Sequence, residues 1–177
     1  MTTWSNSLLT RVEKRLHASD YWGKRCEIAF RAPERKNRVH LAVFVQPFLQ
    51  FVLEGRKTVE SRFSMHRRAP FGCVHPGDLV LIKESGGPVV AIAEVSNVWY
   101  YQLNANTRDF IRNRFGEQLC VDDPDFWKSK VSSYFATLMQ FARVEKLDPL
   151  LCSKRDRRGW VVLGNSALQA DLFAGVD

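Results

Sequence analysis

The sequence predicts a mixed α+β fold, a small barrel or sheet with short helices between its strands. Short apolar or alternating runs, which are typical of strands, recur from Val39 onward, and segments with helical periodicity lie between them. The chain has 177 residues, enough for one domain with an appendage. Its 45% hydrophobic and 25% charged residues are typical of a globular protein.

The first 38 residues are predicted to form a basic helical arm. Leu8, Leu9, Val12 and Leu16 fall on one stripe, which predicts an amphipathic helix over residues 5–17. Residues 20–38 are mixed in composition: four apolar side chains could pack against the domain, namely Tyr21, Trp22, Ile28 and Phe30, whereas Pro33 and the polar run to Arg38 predict a linker. The predicted division is therefore an arm or linker over residues 1–38 and a domain over residues 39–177.

The predicted elements of the domain alternate between strands and short helices. Pro47 suits the first turn of a helix and Gly55 its C-terminal cap, while Gly86-Gly87 suits a hairpin turn. The predicted strands are 39–45, 58–63, 79–83, 89–99, 140–147 and 159–164. The predicted helices are 48–54, 106 or 107 to 115, and 125–138, with a last helical turn over 167–173.

The cysteines and the first residues predict a reducing compartment. Four cysteines are spread along the chain without a CxxC pair, so they favour neither a zinc knuckle nor a thioredoxin-like motif. Two disulfides would be possible by number, but the first residues lack a signal-peptide core, which favours reduced thiols and a cytoplasmic location. No apolar run is long enough to span a bilayer. We expect no metal, no cofactor and no membrane partner.

The net charge of +7 is concentrated in two segments. Residues 1–38 carry +5, residues 154–158 carry +3, and the remainder is close to neutral. Clustered cations of this kind are typical of contact with a nucleic-acid backbone, although a solvated basic arm would show the same pattern. We expect the loop residues Lys154, Arg155, Arg157 and Arg158 to contact phosphates.

The densest group of candidate site residues lies where a helix passes into a strand. Alternation places Val59 and Phe63 on one face of this strand. The opposite face carries Thr58, Glu60 and Arg62, and Lys57 precedes it. Enclosed charges of opposite sign must be paired, so this group is either a structural ion pair or a binding site for a polar ligand.

Gly55, Lys57, Glu60 and Arg62 fit a GxKxxExR pattern, and with them the sequence resembles the ASCH domain family, a relative of PUA-like RNA-binding barrels. The resemblance also rests on short motifs elsewhere in the chain: Pro47, residues 64–72, Pro76-Gly77-Asp78, residues 83–88 and Arg158-Gly159-Trp160. It extends over residues 39–164. It implies a PUA-like mixed β-barrel with flanking helices, to which the N-terminal helical arm is added. It also implies a cleft lined by Lys57, Glu60 and Arg62.

The resemblance implies several functions. Nucleic-acid binding, with RNA favoured, or binding of a modified nucleoside agrees with a cation, an acid and a guanidinium in one cleft. The alternative is an amidohydrolase that acts on N4-acetylcytidine-type nucleosides, in which Lys57 and Glu60 would be catalytic. Those enzymes have Thr three residues after the lysine, where this chain has Glu60. A ribonuclease and an interaction module of transcription coactivators are less favoured.

Further candidates for nucleic-acid contact lie outside this group. The sequence places two cations, Arg67 and Arg68, in the loop after the strand. Lys83 ends a strand before the Gly86-Gly87 turn, where a solvated strand end is the simpler interpretation. Trp99 and Tyr100 end a buried strand, where they either stack on a base or pack at the rim of the core.

Overall fold

A single six-stranded sheet organises the computed structural model, which describes residues 3–31, 38–155 and 157–163. Its elements are α1 (Thr3–Leu16), α2 (Asp20–Arg31), β1 (Val39–Phe44), α3 (Phe48–Leu53), β2 (Val59–Ser64), β3 (Leu79–Glu84), β4 (Val89–Gln102), α4 (Ala105–Leu119), α5 (Pro124–Ser129), β5 (Phe135–Leu150) and β6 (Trp160–Leu163). The strand order is β2-β5-β4-β3-β1-β6, and only the β1–β3 pair is parallel. The sheet curls into a half-barrel with flanking helices, which confirms the predicted fold class.

The longest pairing in the sheet joins β4 to β5. Its register runs from Val89 opposite Leu150 to Gln102 opposite Phe135, with shifts that bend both strands. The sequence predicts a helix over residues 125–138, and this prediction is wrong, because α5 ends at Ser129 and β5 begins at Phe135. Val131, in the middle of the predicted helix, is 63% exposed.

The sequence does not predict a helix in the mixed segment after α1, but Asp20–Arg31 form helix α2. Trp22 of α2 and Leu8 and Val12 of α1 are buried in the same apolar cluster as Leu41 and Leu81 of the sheet. Tertiary burial of these side chains stabilises the two helices in spite of their mixed composition. The predicted tail over 167–173 and the segment 32–37 lie outside the described residues, and the division at residue 38 stays a prediction.

Three cations of the predicted arm are used in docking α1 and α2 onto the sheet. Arg11 donates to the carbonyl of Leu151, and Arg15 pairs with Asp148. Arg25 donates to Glu94 on β4 at 2.8 Å and to the carbonyl of Gly77 at 2.6 Å. Part of the positive charge of this segment is therefore used in contacts that hold α1 and α2 against the sheet.

Helix α4 runs one turn further than the sequence predicts. The predicted helix stops at residue 115, whereas α4 continues through Gly116 to Leu119 and is followed by Cys120 in a left-handed conformation with φ 53°. Asn104 caps the start by accepting a hydrogen bond from the backbone N–H of Thr107 at 2.9 Å. This end of α4 directs the Leu119 carbonyl toward the site described below.

A buried polar cluster ties β1 to β6 and to the segment before β3. The Trp160 indole N–H donates to His40 Nδ1 at 3.2 Å, so His40 Nε2 carries the proton and donates to Asp78 Oδ2 at 2.9 Å. Burial lowers the pKa of His40, although Asp78 opposes this. His40 is therefore a hydrogen-bonded core residue, and Trp160 is in the core as well.

All four cysteines are free thiols. Cys26 and Cys73 are buried, and Cys120 and Cys152 are half-buried. Within the described ranges, we find no cluster of three or more His, Cys, Asp or Glu side chains that could hold a metal ion. None of the helices there combines the length and the apolar character that crossing a membrane requires.

Candidate functional site

A cleft of about 300 Å³ lies where β1 and β2 approach α3 and α5. Its wall contains three charged side chains from the β2 region, one from α5's C-terminal end, and several phenylalanines. The lining residues are Val43, Phe44, Val45, Phe48, Lys57, Glu60, Ser61, Arg62, Phe63, Val121, Phe126 and Lys130. The sheet order leaves β1 and β2 without backbone pairing to each other, and the cleft occupies this gap.

Lys57 is held rigidly at the base of the cleft. The chain turns after α3 at Gly55, with φ +73°, and the Lys57 backbone N–H donates to the Phe51 carbonyl at 3.0 Å. The buried ammonium donates to the carbonyls of Val59 at 2.9 Å and Leu119 at 3.0 Å. Burial lowers the pKa of Lys57, and Glu60 opposes this shift.

The surroundings of Lys57 match a charged ammonium. Two carbonyls and the Glu60 Oε2 atom, which lies 3.4 Å from Nζ, give three acceptors for three N–H donors. A neutral amine would leave one of these acceptors unpaired in a buried position. Lys57 therefore serves best as a fixed positive charge that orients Glu60.

Glu60 presents a buried carboxylate to the cleft, with its side chain 7% exposed. Its Oε1 atom lies 2.8 Å from Arg62 Nε, and its Oε2 atom faces Lys57. The contact with Arg62 is an ion pair without hydrogen-bond alignment, since Nε has no hydrogen-bond partner among the described residues. One cation on each oxygen compensates the burial of the carboxylate.

Arg62 bridges the gap between the two sides of the half-barrel. Its Nη2 atom donates to the Val43 carbonyl of β1 at 2.9 Å, and Nη1 donates to the Gly159 carbonyl at 3.3 Å. The guanidinium also lies 5.2 Å from the ring centre of Phe44 and 5.5 Å from that of Trp160. Arg62 is thus a structural cross-link as well as a wall of the cleft.

Aromatic rings give the cleft flat apolar walls. Phe126 of α5 contacts Phe48 of α3 with ring centres 6.3 Å apart, and Phe63 of β2 at 6.0 Å. All three residues are half-buried, so none of them is fully enclosed by the protein. A planar heterocycle stacks favourably on such surfaces.

Lys130 and the loop before β6 contact the cleft from two sides. Lys130 lines it directly and lies over the Phe126 ring at 4.7 Å. On the other side the backbone N–H of Val43 donates to the carbonyl of Gly159 at 2.9 Å, so the basic loop reaches the cleft margin. Arg157 and Arg158 precede this contact and are exposed.

The structure brings Lys57, Glu60 and Arg62 together in the cleft, and the other predicted site residues lie outside it. Thr58 is exposed and does not line the cleft. Lys83, for which a solvated strand end was the simpler interpretation, is buried. Its ammonium donates to the carbonyls of Glu84 at 2.9 Å and Gly87 at 2.6 Å. Its hydrogen bonds hold the β3–β4 turn.

The predicted stacking residues of β4 also pack against the protein. Trp99 contacts Phe115 of α4 with ring centres 4.9 Å apart. The Tyr100 hydroxyl bonds to both backbone groups of Val74, and burial raises its pKa to about 12. Phe71 contacts the Tyr100 ring in an edge arrangement, with ring centres 5.3 Å apart. These contacts favour rim packing, the second of the two interpretations of the sequence.

The predicted phosphate contacts lie on the surface in two loops. Arg67 and Arg68 are exposed in the β2–β3 loop, and Arg67 lies 5.5 Å from the ring centre of Phe135. In the loop before β6, Arg155 is exposed and Lys154 is half-buried.

Sequence reasoning missed the aromatic walls and Lys130. Phe44 and Phe48 flank Pro47, where a strand gives way to a helix, and that position was a usable signal. Phe126 and Lys130 come from the segment predicted as one long helix, so their convergence on the cleft was not visible.

The curled six-stranded half-barrel with its flanking helices is a PUA-like fold. The family model of the ASCH domain matches residues 43–147, and the chain belongs to this family. Among curated proteins, none matches the sequence.

Solved structures agree on the fold. The crystal structure of ASCH from Zymomonas mobilis is similar with a TM-score of 0.57 and 14% identity, covering 76% of this chain and 93% of that one. A mutant ASCH protein from the same organism is similar with a TM-score of 0.58 and 12% identity, covering 76% and 94%. In both cases about a quarter of this chain lies outside the match.

Proposed function

We propose that this protein binds single-stranded nucleic acid, RNA in preference to DNA, by seating one base in the cleft. The observation that carries the proposal is the combination of a buried carboxylate, fixed cations and half-buried phenylalanine side chains around a space of about 300 Å³. That volume lies at the small end of ligand clefts and suits one base or modified nucleoside. RNA is favoured because the ASCH family is related to PUA-like RNA-binding barrels.

The base is proposed to enter the cleft and the backbone to stay outside. Phe48 and Phe126 offer surfaces for stacking, and Glu60 accepts hydrogen bonds from the base edge. Lys130 lines the cleft, and the basic loop ending at Arg158 leads into the contact of Gly159 with Val43 at the opposite margin; phosphates of neighbouring nucleotides would lie on these two sides. Arg62 contributes positive charge, but its Nη atoms already donate to backbone carbonyls.

The alternative, an amidohydrolase acting on N4-acetylcytidine, is less favoured by the surroundings of Lys57. A lysine that acts as nucleophile or base must lose a proton. The three acceptors around Nζ stabilise the ammonium form instead. We therefore rank binding above catalysis.

The test is fluorescence anisotropy with a labelled single-stranded RNA, comparing wild type with cleft variants. Phe126→Ala is expected to weaken binding by about 1–3 kcal/mol, the range for loss of one stacked base. Its control is Phe110→Ala, since Phe110 is 51% exposed and lies outside the cleft. Unchanged binding in Phe126→Ala, with an unchanged thermal midpoint, would contradict the seating of a base.

Contact between the protein and the RNA phosphates is tested by the salt dependence of RNA binding. Lys130→Ala is expected to reduce the slope of log K against log salt by about one. Lys128, two residues earlier in α5, has a side chain that is 76% exposed and pairs with Asp125, so Lys128→Ala is a matched control. A slope near zero in the wild type would rule out backbone contact.

Amidohydrolase activity is tested by incubating the protein with N4-acetylcytidine and separating the products by chromatography. We expect no turnover. Release of cytidine that is lost in Lys57→Ala would show that the amidohydrolase alternative is correct.

A further inference from the structure

We propose that the cleft selects guanine, through two parallel hydrogen bonds to the Glu60 carboxylate. This inference rests on the proposed function and adds the identity of the base. A carboxylate has about four lone-pair directions on its two oxygens. Among the described residues, Glu60 has one partner on each oxygen, namely Arg62 Nε on Oε1 and Lys57 Nζ on Oε2. One acceptor position remains on each oxygen.

The two cations fix the orientation of this carboxylate. Lys57 is itself held by the carbonyls of Val59 and Leu119, and Arg62 by those of Val43 and Gly159. Because both partners are anchored to backbone atoms, Glu60 is preorganised rather than mobile. A ligand that meets both oxygens at once loses little conformational freedom on the protein side.

Guanine matches two adjacent acceptors better than the other bases do. Its N1–H and N2–H groups are neighbouring donors that point the same way, and charge-assisted pairs of this kind are strong and directional. Adenine and cytosine each place one amino donor beside a ring-nitrogen acceptor, which would face the second carboxylate oxygen with repulsion. Uracil has one N–H between two carbonyls. Only guanine can therefore satisfy both oxygens of Glu60.

The phenylalanine walls do not distinguish the bases, because every base has a flat face. Selection must therefore come from Glu60. Ser61 and Lys130 also line the cleft, and they remain available for the sugar or phosphate.

The experiment compares RNA 9-mers of uridine in which the central position is G, A, C, U, inosine or N1-methylguanosine. Binding to wild-type protein is measured by anisotropy. We expect the central G to bind on the order of tenfold more tightly than A, C or U, as for a good bidentate contact. Inosine lacks the N2 amino group and should be intermediate, and N1-methylguanosine should bind no better than uridine.

Glu60→Gln supplies a second, independent measurement. The amide offers one acceptor and one donor, so the preference for G over A should disappear. Circular dichroism melting checks that this variant folds, and the modified-base series on the wild type does not depend on it.

The outcomes separate the two proposals. Guanine selection is overturned if the RNA with a central A, C or U binds most tightly, or if all six RNAs bind equally. If Phe126→Ala then loses this RNA binding, the seating of a base in the cleft is still supported. Absence of binding to every RNA refutes the proposed function itself.

Discussion

Replacing Leu8 with alanine tests whether α1 is part of the folded core. Leu8 is 0% exposed and lies in one apolar cluster with Leu41 and Leu81 of the sheet, which are also 0% exposed. Leucine-to-alanine changes at such sites remove contacts and leave a cavity, at a cost of about 2–5 kcal/mol. Leucine and alanine are both good helix formers, so the loss comes from packing rather than from helix propensity.

The assay is urea unfolding followed by tryptophan fluorescence, with Ile28→Ala as control. Ile28 of α2 is 51% exposed, so its truncation should change the free energy of unfolding by less than about 0.5 kcal/mol. Leu8→Ala should lower the midpoint without changing the slope. If Leu8→Ala behaved like the control, α1 would not contribute to the core.

Three further outcomes follow from buried groups. Burial lowers the pKa of His40, whereas a histidine in the unfolded state has a pKa of about 6.5. Below about pH 6.5 the unfolded state therefore binds more protons than the folded state, and the free energy of unfolding should decrease as the pH drops. This decrease should be smaller in His40→Gln. An equal slope in both proteins would contradict this assignment. Burial raises the pKa of Cys26 to about 12 and also raises that of Cys73, so a thiol reagent should label the other two cysteines first. Arg62→Lys keeps the charge but loses the bridge to Val43, at an expected cost of about 1–3 kcal/mol in urea unfolding, and no cost would refute the bridge.

Strands with strong alternation were predictable, whereas helices stabilised by distant contacts were not. The sequence predicts β2 correctly because its apolar and polar residues alternate. In the structure Val59 is buried and Glu60 faces the cleft. Helix α2 was missed, since Trp22 becomes apolar core only when the sheet is present. The helix predicted over residues 125–138 failed because Phe135 pairs with the end of β4, a long-range contact that local periodicity does not report.

The charged part of the site was predictable and its walls were not. Lys57, Glu60 and Arg62 lie within six positions, so spacing alone grouped them. Phe126 reaches the same cleft from more than 60 residues away. Spacing also could not show that the charges of Lys57 and Arg62 are largely occupied by backbone carbonyls.

The burial of α1 and α2 against the sheet separates the unit of homology from the unit of folding. The family match begins at residue 43, inside β1, and ends at 147, inside β5. A fragment cut at those limits would leave Leu79 and Ile92 without the apolar side chains that cover them. A test of whether the basic arm takes part in binding must therefore change exposed cations such as Lys14 and Lys24 and keep the helices in place.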